Sequence, residues 1–208
     1  MDITLKYIIA VLLSYALGSV NSAIIVSKIA LKKDIRHFGS GNAGTTNALR
    51  VMGMSKTVFV ILGDILKNVV AMLIVKLMFD GSELVVAQVL AGIACVVGHA
   101  FPVFWGFKGG KGVLSTATVA MCIDWRISLI AIIVFVLVVA ISKYVSLGSI
   151  IAVCTAPFQF AFFYGFDSSG IAYICFGIFV AAFVTFLHRS NIKRLKNGTE
   201  NKLNFSKK

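Results

Sequence analysis

The chain has 208 residues, 59% of them hydrophobic, with 20 Lys and Arg against 8 Asp and Glu and a formal net charge of +12. A mean hydropathy of +0.94 excludes a water-soluble globular domain and places the chain in the integral membrane class. The positive charge then needs no nucleic acid, because Lys and Arg in the loops of a membrane protein set its orientation.

Apolar stretches long enough to cross a bilayer as helices lie at 7–29, 57–79, 84–101, 126–142, 145–165 and 170–188, with a shorter one at 113–124. The expected fold is all-α and polytopic, a single integral membrane domain over 1–208 with about seven transmembrane helices. Placing Met1 outside puts Lys28, Lys32, Lys33, Arg36, Arg50 and Lys56 in one inner loop, Lys108 and Lys111 in a second and Lys143 in a third. The tail adds Arg189, Lys193, Arg194, Lys196, Lys202, Lys207 and Lys208, whereas the outer connections carry Asp2, Asp80, Glu83, Asp124 and Asp167 against Lys6 and Arg126. The expected topology is N-terminus outside and C-terminus cytoplasmic, and the first span, too long for a signal peptide, is read as retained.

Cys95, Cys122, Cys154 and Cys175 sit one apiece in four apolar stretches, without paired spacing or a histidine at ligand distance. They read as small buried residues, with no metal and no cofactor.

The first span ends in Gly18, Ser19, Asn21 and Ser22, small residues that suit close helix packing. The stretch from Gly39 to Arg50, GSGNAGTTNALR, then concentrates the polar chemistry. Gly39, Gly41 and Gly44 let the backbone turn its N–H groups toward an anion. Ser40, Asn42, Thr45 and Asn47 add donors, and Arg50 can grip a phosphate with two parallel hydrogen bonds. A turn-rich surface loop has a similar composition. The glycine spacing also fits the dinucleotide fingerprint, but it follows a long apolar segment and a charged run where that fingerprint requires a strand.

Asp64 and Lys67 share one face of the second span, either as a functional pair or as a mutual ion pair. The second inner loop reads GHAFPVFWGFKGGKGV from Gly98 to Val113, and Lys108, Gly109, Gly110, Lys111 and Gly112 form a second Gly/Lys cradle. Phe101, Phe104, Trp105 and Phe107 surround it as interfacial anchors or as the lining of an acyl-chain entry. In the third inner turn Ser146 lies at a helix start, where it suits an anion or an N-cap. His188 and Asn191 can share one face of a helix end after the last span.

Two phosphate-type cradles suggest a reaction between two phosphorylated partners, with anion transport as the competing reading. These motifs carry a resemblance. GSGNAGTTNALR at 39–50, GHAFPVFWGFKGGKGV at 98–113 and HRSNIKRLKNGTE at 188–200 resemble, in order, the three inner-loop motifs of the bacterial acyl-phosphate:glycerol-3-phosphate acyltransferase family, and the likeness runs essentially the full length. The chain departs from that family's usual pattern at Asn21, Thr45, Asn68, Leu114 and Ser115, none of which removes a charge or hydroxyl from the cradles.

The resemblance implies transfer of a fatty acyl group from acyl phosphate to the C1 hydroxyl of glycerol 3-phosphate, giving lysophosphatidic acid and inorganic phosphate, the first committed step of bacterial phospholipid synthesis. It implies that Ser40 and Arg50 are essential, that the glycines near Lys111 hold the acyl phosphate, that His188 and Asn191 assist, and that Glu200 supports structure. Arg50 and Lys111 would neutralise developing phosphate and oxyanion charge. The H-x-x-x-x-D pair of other glycerolipid acyltransferases is absent, which leaves His188 or the donor's own phosphate as the base. The protein is expected to work as a monomer in the bacterial plasma membrane, with its active site facing the cytoplasm.

Overall fold

The computed structural model describes residues 2–203; Met1, Lys207 and Lys208 of the orientation count lie outside the described residues. These residues form ten α-helices and no strand. Two compact units emerge, Met1–Ile123 and Asp124–Lys208.

The first unit contains α1 (Ile3–Ser19), α2 (Ser22–Leu31), α3 (Thr45–Met78), α4 (Gly81–Ala100) and α5 (Val113–Ile123), with single 3-10 turns at Ile35–His37 and Val103–Trp105. The stretch expected as one helix over 7–29 is broken at Val20 and Asn21. Asn21 takes an extended backbone and its side-chain Oδ1 accepts from Ile24 N–H at 3.0 Å, capping α2. The small residues near this break do pack closely. A Cβ at Gly18 would collide with the Cys95 carbonyl, and one at Gly98 would lie 2.5 Å from the Tyr15 carbonyl, so α1 and α4 cross with their backbones in contact.

Helix α3 starts twelve residues before the expected span at 57, and Gly53, with φ 75° and ψ 174°, bends it. Its first turns therefore belong to the polar motif and the remainder to the apolar span. Thr57 Oγ1 donates to the Gly53 carbonyl at 2.8 Å, one turn beyond the bend.

The second unit contains α6 (Trp125–Ser142), α7 (Val145–Cys154), α8 (Ala156–Tyr164), α9 (Ser168–Leu187) and α10 (Arg189–Lys196). The stretch at 145–165 is divided at Thr155, two residues before Pro157, which has no N–H to continue the ladder. In α6 a run of Ile, Val, Leu and Phe without Gly or Pro forms an uninterrupted helix, which Lys143 ends in the left-handed region at φ 65°.

Among the described residues, six helical segments are long and apolar enough to cross a membrane: Ile3–Leu31, Thr45–Met78, Gly81–Trp105, Trp125–Ser142, Val145–Tyr164 and Ser168–Leu187. The seventh apolar stretch forms α5, whose 11 residues cover about 16 Å, roughly half of a hydrocarbon core. Three of the five acidic residues read from sequence as outer-loop charges cap helices with their side chains, whereas Asp80 makes no side-chain cap. Asp2, Asp124 and Asp167 accept from Leu5, Arg126 and Gly170 backbone N–H groups at the starts of α1, α6 and α9.

The expectation of four buried cysteines needs correction. Cys95 is buried, Cys122 half-buried, and Cys154 and Cys175 exposed. An apolar helix surface that faces lipid accepts a thiol as readily as a core does.

Candidate functional site

The first cradle is a tight loop followed by a helix start. After α2 the Asp34 carboxylate accepts from Arg36 N–H at 3.0 Å and grips the guanidinium through Nε and Nη2, the latter at 2.8 Å. Hydrogen bonding from Arg36 holds the Asp34 carboxyl below its ordinary value. Gly39 and Gly41 turn the chain with φ of 61° and 73°, and a Cβ on Gly39 would also collide with Asn47 Oδ1. Glycine is therefore required there for both backbone and space.

Asn47 is buried and shapes the loop. Its Oδ1 accepts from Ser40 N–H at 2.8 Å, and its Nδ2 donates to the Phe38 and Ile35 carbonyls at 3.0 and 3.4 Å. Both amide hydrogens expected to serve a ligand are thus used by the loop's own backbone. Ser40 and Arg50 are exposed, and Asn42 and Thr45 half-buried. The motif does open a helix. Gly44 is the N-cap of α3 and supplies no side-chain cap, so the first N–H groups of α3, beginning at Thr45, face the loop as an anion-attracting terminus.

The second cradle doubles back on the end of α4. Gly109 N–H donates to the Ala100 carbonyl at 3.0 Å and Gly110 N–H to the His99 carbonyl at 3.1 Å. A Cβ on Gly109 would collide with the His99 carbonyl, so this return has room only for glycine. Gly112, with φ 77°, then directs the chain into α5. Lys108 is exposed and Lys111 half-buried.

The two cradles meet. Ala43 N–H donates to the Gly109 carbonyl at 3.4 Å, and Arg36 Nη1 donates to the Trp105 and Lys108 carbonyls at 2.6 and 3.1 Å. Between them lies a pocket of about 450 Å³ lined by Arg36, His37, Gly41, Trp105, Gly106, Lys108 and Gly109. Gly41, Lys108 and Gly109 were legible as site residues. Arg36 and His37 were not, although a cation and an imidazole immediately before a glycine-rich motif are a usable signal. Phe104 and Phe107 are exposed beside the pocket at 59% and 56%, and Lys28 Nζ sits 4.7 Å over the Trp105 ring.

Asp64 and Lys67 do form a mutual ion pair, at 2.9 Å and fully within the helix packing. His99 joins it, with Nδ1 3.0 Å from Lys67 Nζ.

In the second unit Glu200 is a hub. Its carboxylate accepts from Ser146 Oγ at 2.9 Å, Asn191 Nδ2 at 2.7 Å and Arg194 Nε at 2.6 Å. Burial pushes the Glu200 carboxyl up, but these donors together outweigh it and bring it below its ordinary value. Ser146 is not the N-cap of α7; Tyr144 holds that position. His188 ends α9 with Nδ1 donating to the Val184 carbonyl at 2.8 Å, so in the neutral ring the unprotonated nitrogen is Nε2.

The family model for glycerol-3-phosphate acyltransferase matches residues 8–198. The chain belongs to that family. A glycerol-3-phosphate acyltransferase of Thermoanaerobacter pseudethanolicus is 42% identical over 196 residues, covering 94% of this chain and 95% of the relative. One of Halalkalibacterium halodurans is 43% identical over 191 residues, covering 91% and 92%.

Two crystal structures of PlsY (YgiH), an integral membrane glycerol 3-phosphate acyltransferase, are similar to this fold at 34% identity. The glycerol 3-phosphate form has a TM-score of 0.84 and coverage of 95% of this chain and 96% of that one. The lysophosphatidic acid form has a TM-score of 0.82 and 95% coverage of each.

Proposed function

We propose that the protein transfers a fatty acyl group from acyl phosphate to the C1 hydroxyl of glycerol 3-phosphate, releasing lysophosphatidic acid and inorganic phosphate. The observation that carries this reading is the junction of two glycine-rich cradles around one cationic pocket in the first unit. A phosphate on each substrate gives each cradle an occupant.

The acceptor oxygen attacks the acyl carbon and forms the new ester bond, and the bond between that carbon and the phosphate oxygen breaks. Arg50 and Lys111 counter the charge that grows on the tetrahedral oxyanion and the leaving phosphate, and the Ser40 hydroxyl and cradle N–H groups orient the substrates. The hydroxyl proton passes to the donor's phosphate in preference to His188; neither glycine motif, at 39–50 or 108–112, contains His, Asp or Glu, and the one imidazole lining the pocket, His37, lies outside both motifs. No covalent acyl-enzyme is invoked.

The same reading has α5 completing a seventh pass, the N-terminus outside, and both cradles at the cytoplasmic face of the bacterial inner membrane. The enzyme acts as a monomer without a cofactor.

The test is inorganic phosphate release from palmitoyl phosphate by purified protein in detergent, with and without glycerol 3-phosphate, alongside Ser40→Ala and Arg50→Ala. Release that depends on the acceptor and is lost in both variants is expected. A folded sample that releases none would return anion transport to the front.

A further inference from the structure

Lys67 sits among three acceptors. Its Nζ lies 2.7 Å from the Val20 carbonyl oxygen, 2.9 Å from Asp64 Oδ1 and 3.0 Å from His99 Nδ1. Asp64, Lys67 and His99 are only 1%, 5% and 4% exposed. An ammonium has three hydrogens and no lone pair, so toward His99 Nδ1, 3.0 Å away, it can only donate. His99 Nδ1 must then accept, and the single proton of the neutral ring resides on Nε2.

That edge of the ring faces the seam between the cradles. A Cβ on Gly110 would collide with His99 Nε2 and lie 2.8 Å from the Ala43 carbonyl oxygen. The same Ala43 carbonyl accepts from Asn21 Nδ2 at 3.1 Å, and Ala43 N–H meets the Gly109 carbonyl.

We propose that Asp64, Lys67 and His99 form a buried positioning relay: Lys67 holds His99 as the Nε2–H tautomer, and that N–H sets the Ala43 and Gly110 backbones at the spacing the two phosphate cradles need. Asp64 pairs with Lys67 at 2.9 Å, and Lys67 fixes the proton on the ring. Its consequence for rate rests on the acyl-transfer reading; the tautomer does not. A pair present only for packing would be replaceable by apolar residues of similar volume. A relay is not, because removing Lys67 frees the histidine to place its proton on either nitrogen.

The first measurement is nitrogen NMR of ¹⁵N-histidine-labelled full-length protein in detergent, with the His99 signal assigned by its loss in His99→Gln. A neutral ring protonated at Nε2 is expected. An imidazolium, or a proton at Nδ1, overturns the proposal. The second compares variants. Asp64→Asn with Lys67→Met in one chain removes both charges, and a mixed His99 tautomer with kcat/KM for glycerol 3-phosphate lowered about tenfold to a hundredfold is expected; wild-type kcat/KM in folded protein overturns it.

His99→Gln can place an amide N–H near the Nε2 position, so it is expected to keep kcat/KM within about fivefold, whereas the shorter His99→Asn falls like the double variant. Equal losses in both assign His99 to packing alone and overturn the relay. If the double variant fails to fold, the wild-type tautomer and the Gln/Asn pair still decide. If the wild type releases no phosphate from acyl phosphate, the proposed function fails and the tautomer alone decides the relay.

Discussion

Arg36 donates from Nη1 to the Trp105 carbonyl oxygen at 2.6 Å, tying the loop after α2 to the loop after α4. The same nitrogen reaches the Lys108 carbonyl, while Asp34 holds the opposite edge of the guanidinium. One planar group thus sets the width of the pocket between the cradles. A lysine, with a point charge in place of a fork, cannot bridge all three.

Arg36→Met is therefore expected to raise KM for glycerol 3-phosphate by about tenfold to a hundredfold, the loss expected when charge-assisted hydrogen bonds to a positioned loop are removed. Arg36→Lys should recover only part of it. Steady-state phosphate release over a range of acceptor concentrations measures both, and an unchanged KM in folded Arg36→Met would remove Arg36 from the registration of the loops.

The Asp34 carboxyl, held low by Arg36, makes a pH-dependent contribution to stability. Because its folded value is depressed, the contribution is present above the unfolded value of about 3.9 and is lost as pH falls through the folded value. Thermal unfolding in detergent below about pH 4 should therefore decline less steeply in Asp34→Asn than in wild type. Parallel acid limbs would mean that the pair contributes nothing there.

Gly110→Ala should be far more damaging than Gly81→Ala, although only Gly81 has a positive φ. A Cβ on Gly110 meets the His99 ring and the Ala43 carbonyl, whereas at Gly81, with φ 50°, nothing lies within 4 Å. The clash should destabilise by about 1–3 kcal/mol and displace the seam of the cradles. The left-handed alanine at Gly81 costs about 1 kcal/mol and should leave phosphate release at wild-type rate. Melting temperature and rate, read together, separate the two.

Glu200→Ala leaves Ser146, Asn191 and Arg194 without their common acceptor. Its cost should be about 1–3 kcal/mol, with Glu200→Gln intermediate because one amide oxygen still accepts. The hub also predicts that Ser146→Ala and Glu200→Ala are non-additive, since both remove the same bond. Unfolding of the two singles and the double tests this, and simple additivity would refute the coupling.

Hydropathy along the chain determined by itself that these segments are helices and where polar loops separate them, because a local apolar run must satisfy its own backbone in a membrane. The first two polar motifs likewise marked out Gly41, Lys108 and Gly109, which line the pocket. Hydropathy could not place the break at Asn21, whose side chain is held partly by Ala43, 22 positions away. Nor could it tell that Asn47 turns inward to hold the backbone of its own loop, or that Ser146 serves Glu200, 54 positions distant. The pairing of Lys67 with His99 and of Arg36 with Trp105 was equally invisible. Composition states which donors a chain possesses; only packing decides which acceptor each one meets, because a buried polar group must find its partner wherever the fold brings one within reach.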